Sequence, residues 1–293
     1  MDPPLPNPGG AALERLTVGI VGCGAVGRAF ALGLARRGAR VRLWSRRSES
    51  VRGVLDAVGR CAPGRAAGVE FEEFGGLDAV LLCVHDDKVG ELARRLAAHP
   101  RPPGVTWHTC GYFGIEILEP LRAVGGACGK LHPLLALPSE SHLEDPLGGG
   151  VFCIGGDGEA LALARRIVSA FEGRELLLKP GEASDRLYHA AAALLSGGFV
   201  ALLDASVKAL ARSLDLEGEQ AETLAQEALQ SLLESTRANL RTSSRGKALT
   251  GPVARGAEAV VAGHLAALAD VDPQAEELYR ALGPIMSRLG RYA

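Results

Sequence analysis

The sequence predicts an α/β fold, a doubly wound parallel sheet, followed by an all-α domain. Three observations carry this. From Thr17 to Leu178, β-rich runs alternate with helical spacings, the mark of βαβ units. The first run, Thr17–Val21, leads straight into Gly22-Cys23-Gly24-Ala25-Val26-Gly27 and an Ala/Leu-rich helix ending at Gly38. After Pro180-Gly181 the alternation stops and only helical periodicities remain. The expected division is a disordered tail over 1–14, a sheet domain over 15–180 and a helical domain over 181–293.

Further strands are expected at Val41–Trp44, Val69–Phe74, Ala79–Val84, Val105–Thr109, Ala127–Leu131, Val151–Ile154 and Glu175–Leu178. Ala79–Val84 is apolar throughout, as a central parallel strand buried on both faces should be. The intervening helices are near Glu49–Val58, Asp87–Ala98 and Glu159–Phe171. The second of these carries Val89, Leu92, Ala93 and Leu96 at helical spacing, and Asp86 and Asp87 are expected to cap it. The later helices read as about Ala183–Ser213, Glu217–Leu240, Ala257–Ala269 and Pro273–Leu289.

Composition narrows the function. With 32 basic and 34 acidic residues, net charge -2, nothing draws the surface to nucleic acid or anionic membrane. Aromatics are 4% of the chain, too few for base-stacking platforms. The cysteines at 23, 61, 83, 110, 128 and 153 form no C-x-x-C pair, so they read as reduced thiols in a cytoplasmic protein with no metal site. The Pro/Gly-rich start lacks the pattern of a signal peptide. Ala190–Leu203 is apolar but falls short of the ~20 residues that span a bilayer, so a buried core helix is expected there and no membrane partner.

The glycine motif follows a strand and opens a helix, the context a dinucleotide-binding Rossmann loop requires. Gly22 allows the tight turn, Gly24 the close approach of a pyrophosphate, and Gly27 the packing of helix on strand. The helix N-terminus, with Ala25 and Val26, then faces the phosphates. Where an NAD enzyme places an acid after the second strand, this chain has Ser45-Arg46-Arg47. A hydroxyl and two guanidiniums suit a 2′-phosphate, so the expected cofactor is NADP(H).

Other motifs follow in order: Val84-His85-Asp86-Asp87, His108-Thr109-Cys110-Gly111, Leu131-His132-Pro133-Leu134, Tyr188-His189-Ala190-Ala191-Ala192, Leu249-Thr250-Gly251-Pro252 and Arg255-Gly256. From about Leu16 onward the chain resembles a bacterial family of Rossmann-like oxidoreductases whose helical half is a domain of unknown function. That family is similar to pyrroline-5-carboxylate reductase, ketopantoate reductase and the 3-hydroxyacid dehydrogenases. The resemblance implies a helical half like the C-terminal domain of 6-phosphogluconate dehydrogenase, often dimeric, and NADP-dependent reduction of a C=O or C=N bond or the reverse oxidation. Family members usually have Ser at Cys110, often Pro at His85, and in many cases Asn near Gly197 and an acid at Ala257. The Lys that does proton chemistry in the hydroxyacid dehydrogenases has no counterpart in Tyr188–Gly198.

In such an enzyme the cofactor carries hydride, while the protein places substrate and supplies a proton. His132, after a strand at the carboxyl edge of the sheet where ligands bind, is the first catalytic candidate, and Tyr188 and His189, early in the first helix after the boundary where it could face the cleft, are the others. Lys130 leaves the same strand face as His132 and is a weaker alternative. Val84, His85, His108, Thr109 and Cys110 are candidates to line the cofactor pocket. Thr250 and Gly251 suit the start of a short helix that would hold an anionic substrate group, with Arg255 pairing a carboxylate. His264 is expected in a core or an interface. The Glu217 helix carries Leu229, Leu232, Leu233, Thr236 and Leu240 on one stripe, which suggests a homodimer through the helical domain. Two other functions fit the same sequence: an NADP-binding sensor without catalysis, and an NADP reductase that uses a deazaflavin.

Overall fold

The computed structural model describes residues 13–138 and 145–290. The expected tail lies outside the described residues up to position 12. Leu13, which falls in the expected tail, is fully buried, and the Leu16 N–H bonds its carbonyl at 2.9 Å, so at that position the expectation of a disordered tail is corrected.

The chain forms two compact units, Met1–Ala192 and Ala193–Ala293. The first holds one eight-stranded sheet: β1 (Thr17–Val21), β2 (Arg40–Trp44), β3 (Ala66–Gly68), β4 (Ala79–Leu82), β5 (Val105–His108), β6 (Ala127–Pro133), β7 (Val151–Gly156) and β8 (Arg174–Leu176). Their order in space is β3-β2-β1-β4-β5-β6-β7-β8. All neighbours are parallel except β6 and β7. The connecting helices are α1 (Ala25–Arg36), α2 (Ser48–Cys61), α3 (Asp86–Ala97), the short α4 (Glu119–Arg122) and α5 (Gly158–Ala170). The chain turns back between β1 and β4, as in a doubly wound sheet.

Two apolar layers cover the sheet. On one face Val18, Ile20, Leu43, Leu81, Trp107, Leu131 and Phe152 meet α1, α2 and α5. On the other Val21, Val80, Leu82 and Cys128 meet α3 and α4. The first layer is pinned by Phe30, Phe152 and Phe171, whose ring centroids lie 5.7–6.3 Å apart. Arg37, 3% exposed, lies 4.4 Å above the Phe171 ring. Its guanidinium bonds the Ala170 carbonyl and pairs with Asp145 at 2.8 Å, so this buried charge has partners on several sides.

The third strand is Ala66–Gly68, not Val69–Phe74. The run Phe71–Phe74 is a 3-10 turn instead. Glu70 and Glu73 cap each other's backbone there, and Phe71 and Phe74 are driven into the second layer. Gly19 of β1 accommodates the Phe74 ring, since a Cβ would lie 2.3 Å from it. Asp86 and Asp87 stand in the first turn of α3 and the N-cap is His85. They complement the helix dipole but do not cap.

α6 (Glu182–Arg212) begins in the first unit and continues into the second, which also holds α7 (Gly218–Thr242), α8 (Arg245–Ala248), α9 (Glu258–Val271) and α10 (Pro273–Gly290). The expectation that Ala190–Leu203 is a buried core helix is corrected. Leu194 is 78% exposed, Leu195 75% and Val200 64%. By length and composition alone α6 is apolar enough to cross a membrane, which for one such helix is weak evidence. The stripe on α7 is likewise open at Leu232 and Leu240, and α9 buries no residue. His264 is exposed and meets the Tyr279 hydroxyl at 3.1 Å, so it is not a core histidine.

Phe171 tests the first layer. Phe171→Ala removes a fully buried ring that three aromatic or cationic partners rest on. It should lower unfolding free energy by about 3–5 kcal/mol in a urea titration of the native protein.

Candidate functional site

The glycine loop has the geometry its sequence implies. Gly22 sits at φ +100° with its N–H on the Trp44 carbonyl at 2.8 Å, and a Cβ there would strike the Cys83 carbonyl at 2.3 Å. A Cβ on Gly27 would lie 1.9 Å from the Gly22 carbonyl oxygen, so α1 can press against the turn only without a side chain. Around Gly24, the N-cap of α1, a Cβ would meet nothing within 4 Å. No side chain caps this helix and no acid stands in its first turn, so its positive end is left without a neutralising group of its own. Arg28, one residue after the motif, adds a cation. It bonds the Gly53 carbonyl at 3.2 Å, and its Nε is buried without a partner.

Ser45, half-buried, and the exposed Arg46 and Arg47 follow β2. Among the described residues neither arginine has an ion-pair partner. Val84 is half-buried and His85 exposed, just past β4 at the same carboxyl edge. Loop, arginines and β4 exit thus fit a dinucleotide with a 2′-phosphate: an open backbone cradle, a free helix N-terminus, and cations where an acid would repel.

Past β5, His108 is fully buried. Its Nε2 donates to the Gly114 carbonyl at 3.0 Å and its Nδ1 accepts the Cys110 N–H at 3.2 Å. The neutral Nε2–H tautomer satisfies both bonds and leaves no ring nitrogen for a ligand. Burial, with Lys130 adding, pushes its pKa down to about 3. Thr109 bonds the Leu82 carbonyl through both N–H and hydroxyl, at 3.1 and 3.3 Å. Cys110 accepts the Phe113 N–H, and burial, with Asp86, pushes its thiol up to about 11. A thiol held neutral in this way is no nucleophile.

β6 supplies the densest chemistry. Lys130 and His132 leave one face of it, and the first turns of α6 lie over that face. Lys130 is 3% exposed, and its ammonium donates to Asp185 at 2.5 Å and to the Gly111 carbonyl at 3.1 Å. His132 Nδ1 and the Tyr188 hydroxyl are 2.7 Å apart, with the rings edge to face. Burial, then Lys130 and His189, pushes the His132 pKa down to about 4, and burial raises that of Tyr188. Both are therefore neutral near pH 7. His189 packs beside them: its Nδ1 is buried without a partner, and a Cβ on Gly111 would lie 2.6 Å from it and 3.1 Å from His132 Nε2. The three catalytic candidates are together. Lys130 is committed to its ion pair.

Asp185 is the member that sequence reasoning missed. Its signal was a spacing match. Lys130 and His132 are about 6.6 Å apart along a strand, and Asp185 and Tyr188 are one helical turn apart on a common side, so two strand positions meet two helix positions. In the second unit, Thr250 and Gly251 begin a turn and not a helix. The Arg255 N–H bonds the Gly251 carbonyl at 3.3 Å within it. Gly251 at φ +96° breaks the backbone there, and the short helix, α8, comes before it, capped by Ser244. Arg255 is exposed. Among the described residues no group of three metal-ligating side chains occurs.

Residues 1–133 match the model of a Rossmann-like domain, and residues 150–285 match that of a domain of unknown function, DUF2520. The chain joins a Rossmann-like domain to a DUF2520 domain. A search of curated proteins gives no match. Among solved structures, a protein from Bacteroides fragilis provisionally named an NADP oxidoreductase superposes with TM-score 0.73 at 20% identity, over 94% of this chain and 99% of that one. An imine reductase from Pseudomonas sp. gives 0.62 at 16% identity, over 94% of each chain. A reductive aminase from Aspergillus terreus, in complex with NADPH and ethyl-5-oxohexanoate, gives 0.58 at 17%, over 95% of this chain and 94% of that one. At these identities the likeness establishes a shared fold.

The two depressed histidines set an acid limit. In the unfolded chain they take up protons near the ordinary pKa of ~6.5, whereas in the fold they do so only near 3 and 4. The unfolded state therefore binds more protons between these values. The stability from keeping both rings neutral is complete above ~6.5 and is lost as pH falls through 4 toward 3. Urea unfolding at stepped pH should show this decline, and His132→Gln should make it shallower between pH 6.5 and 4.

Proposed function

We propose that this protein is an NADP(H)-dependent oxidoreductase acting on a C=O or C=N bond of a small substrate, or running the reverse oxidation. The observation that carries the reading is the open cradle at Gly24 beside Ser45, Arg46 and Arg47. The neighbours in fold named as an imine reductase and a reductive aminase support the reaction class. When bound, NADP(H) supplies hydride exchange.

The chain's own residues do the rest. The α1 N-terminus and glycine loop hold the pyrophosphate. Arg46 and Arg47 bind the 2′-phosphate through charge-assisted hydrogen bonds. His132 and Tyr188, neutral and joined at 2.7 Å, form the proton-handling pair. With Tyr188 donating to Nδ1, the Nε2–H of His132 is the proton offered to a substrate oxygen or nitrogen, and as it leaves the Tyr188 hydroxyl proton passes to Nδ1, the tyrosinate then being reprotonated from solvent. His189 packs at the same point and completes this polar cluster.

The second unit acts as a dimerisation surface in this reading, two copies covering the apolar faces of α6, α7 and α9. The exposed Leu194, Leu195, Val200 and Leu232 support it, since apolar stripes of this kind mark association sites. Light scattering at micromolar concentration should return twice the chain mass, and a monomer mass would rule out a tight dimer.

The cofactor assignment is tested by titrating the purified protein with NADPH and NADH, followed by fluorescence. NADPH should bind at least ~10-fold tighter, and Arg46→Ala with Arg47→Ala should abolish that preference while NADH affinity stays within ~2-fold, as loss of charge-assisted phosphate contacts predicts. No binding of either nucleotide ends the oxidoreductase reading. Selective binding without turnover on keto and imine substrates favours the sensor.

A further inference from the structure

The Lys130–Asp185 pair is the most buried ion pair among the described residues, with side chains 4% and 13% exposed. The reaction proposed above gives it nothing to do. Its ammonium has three protons and two fixed acceptors, Asp185 Oδ1 and the Gly111 carbonyl. Those acceptors belong to the two segments that close on β6, the start of α6 and the 108–114 loop. Three residues along α6 from Asp185, one helical turn, stands Tyr188, and two along the strand from Lys130 stands His132. The ammonium also lies 5.6 Å from the centre of the Tyr188 ring.

We propose that Lys130 and Asp185 are positioning residues, a buried ion pair that holds the first turns of α6 on β6 so that the Tyr188 hydroxyl meets His132 Nδ1. The inference rests on the His132–Tyr188 pair being the proton-handling group. The physical case is one of geometry and charge. A buried ion pair adds little net stability but costs heavily when a single partner is lost, and fixing the register of two elements is its best-attested use. Two contacts between a strand and a helix, one ionic and one hydrogen-bonded, leave neither sliding nor rotation of α6 over β6 free.

The same ammonium acts on the imidazole directly. The groups around His132 are Lys130 on its own strand, Cys153 opposite it on β7, His108 on β5, Asp86 at the start of α3, and Asp185, Tyr188 and His189 on α6. Lys130 is the nearest fixed cation in this set and opposes a second positive charge on the ring. A register pin and a charge that keeps His132 neutral are thus one side chain.

The test is the ring titration of His132, followed by NMR on the full-length protein in the wild type, Lys130→Met and Lys130→Arg. It needs no cofactor or turnover, so its failure is separate from failure of the oxidoreductase reading. Lys130→Met should move the midpoint up by about one pH unit, with Lys130→Arg staying near the wild type. Packing alone predicts the reverse, because Met matches the shape of Lys and Arg does not. A wild-type midpoint in Lys130→Met, or a larger shift in Lys130→Arg, overturns the proposal. Should Lys130→Met not fold, Lys130→Met with Asp185→Leu removes both charges from the interior. That variant should fold and titrate higher than the wild type, and a wild-type midpoint in it overturns the proposal equally.

Discussion

The approach of α1 to β1 is the constraint on which the rest of the sheet unit depends. It is an almost backbone-to-backbone contact. The Gly22 carbonyl occupies the place where any side chain on residue 27 would have to be. With that contact made, α1 sits low on the sheet and its N-terminus opens at the carboxyl edge. Phe30, on the same helix, then reaches Phe152 and Phe171. One turn of backbone therefore sets both an apolar layer and the cradle proposed for a pyrophosphate.

The carboxyl edge divides into two regions of different chemistry. Around β1, β2 and β4 it offers backbone N–H groups and exposed cations, a surface for a charged ligand. Around β5 and β6 it is a buried polar cluster in which His108, Cys110, His132 and Tyr188 are all kept neutral by desolvation. Lys130 is the buried cation there and has its own anion. Neutral groups in a low-dielectric setting hold protons in fixed places without drawing in water, which suits the proton-handling role proposed for His132 and Tyr188.

Much of this was legible in the chain. Apolar runs marked β1 and β4, which are buried on both faces, alternation marked β2, shorter β-rich runs between helical spacings marked β5, β6 and β7, and the glycine spacing announced its turn. β3 was not legible. Ala66-Ala67-Gly68 has no β-branched or aromatic residue, and it is a strand because β2 pairs with it. The alternation at Val69–Phe74 imitated a strand until Glu70 and Glu73 closed on each other's backbone. His132, Tyr188 and His189 could be named from their positions after a strand and at a helix start. The link between Lys130 and Asp185, 55 residues apart, becomes visible only when α6 is laid on β6. The exposure of Leu194 and Leu195 was hidden as well, because an apolar stripe reads alike whether its own chain or another covers it.

The sheet ends on its two shortest strands, β3 and β8, three residues each. An open sheet rim is a template on which a second chain can add strands, and rims of this kind seed aggregation. Here one rim is Ala66-Ala67-Gly68 and the other Arg174-Glu175-Leu176, the latter with its charged pair exposed. Neither provides the length or the apolar surface that strand addition needs. The long apolar strands sit inside, each paired on both sides. Once folded, the sheet therefore offers a poor template at either rim for a second chain to extend.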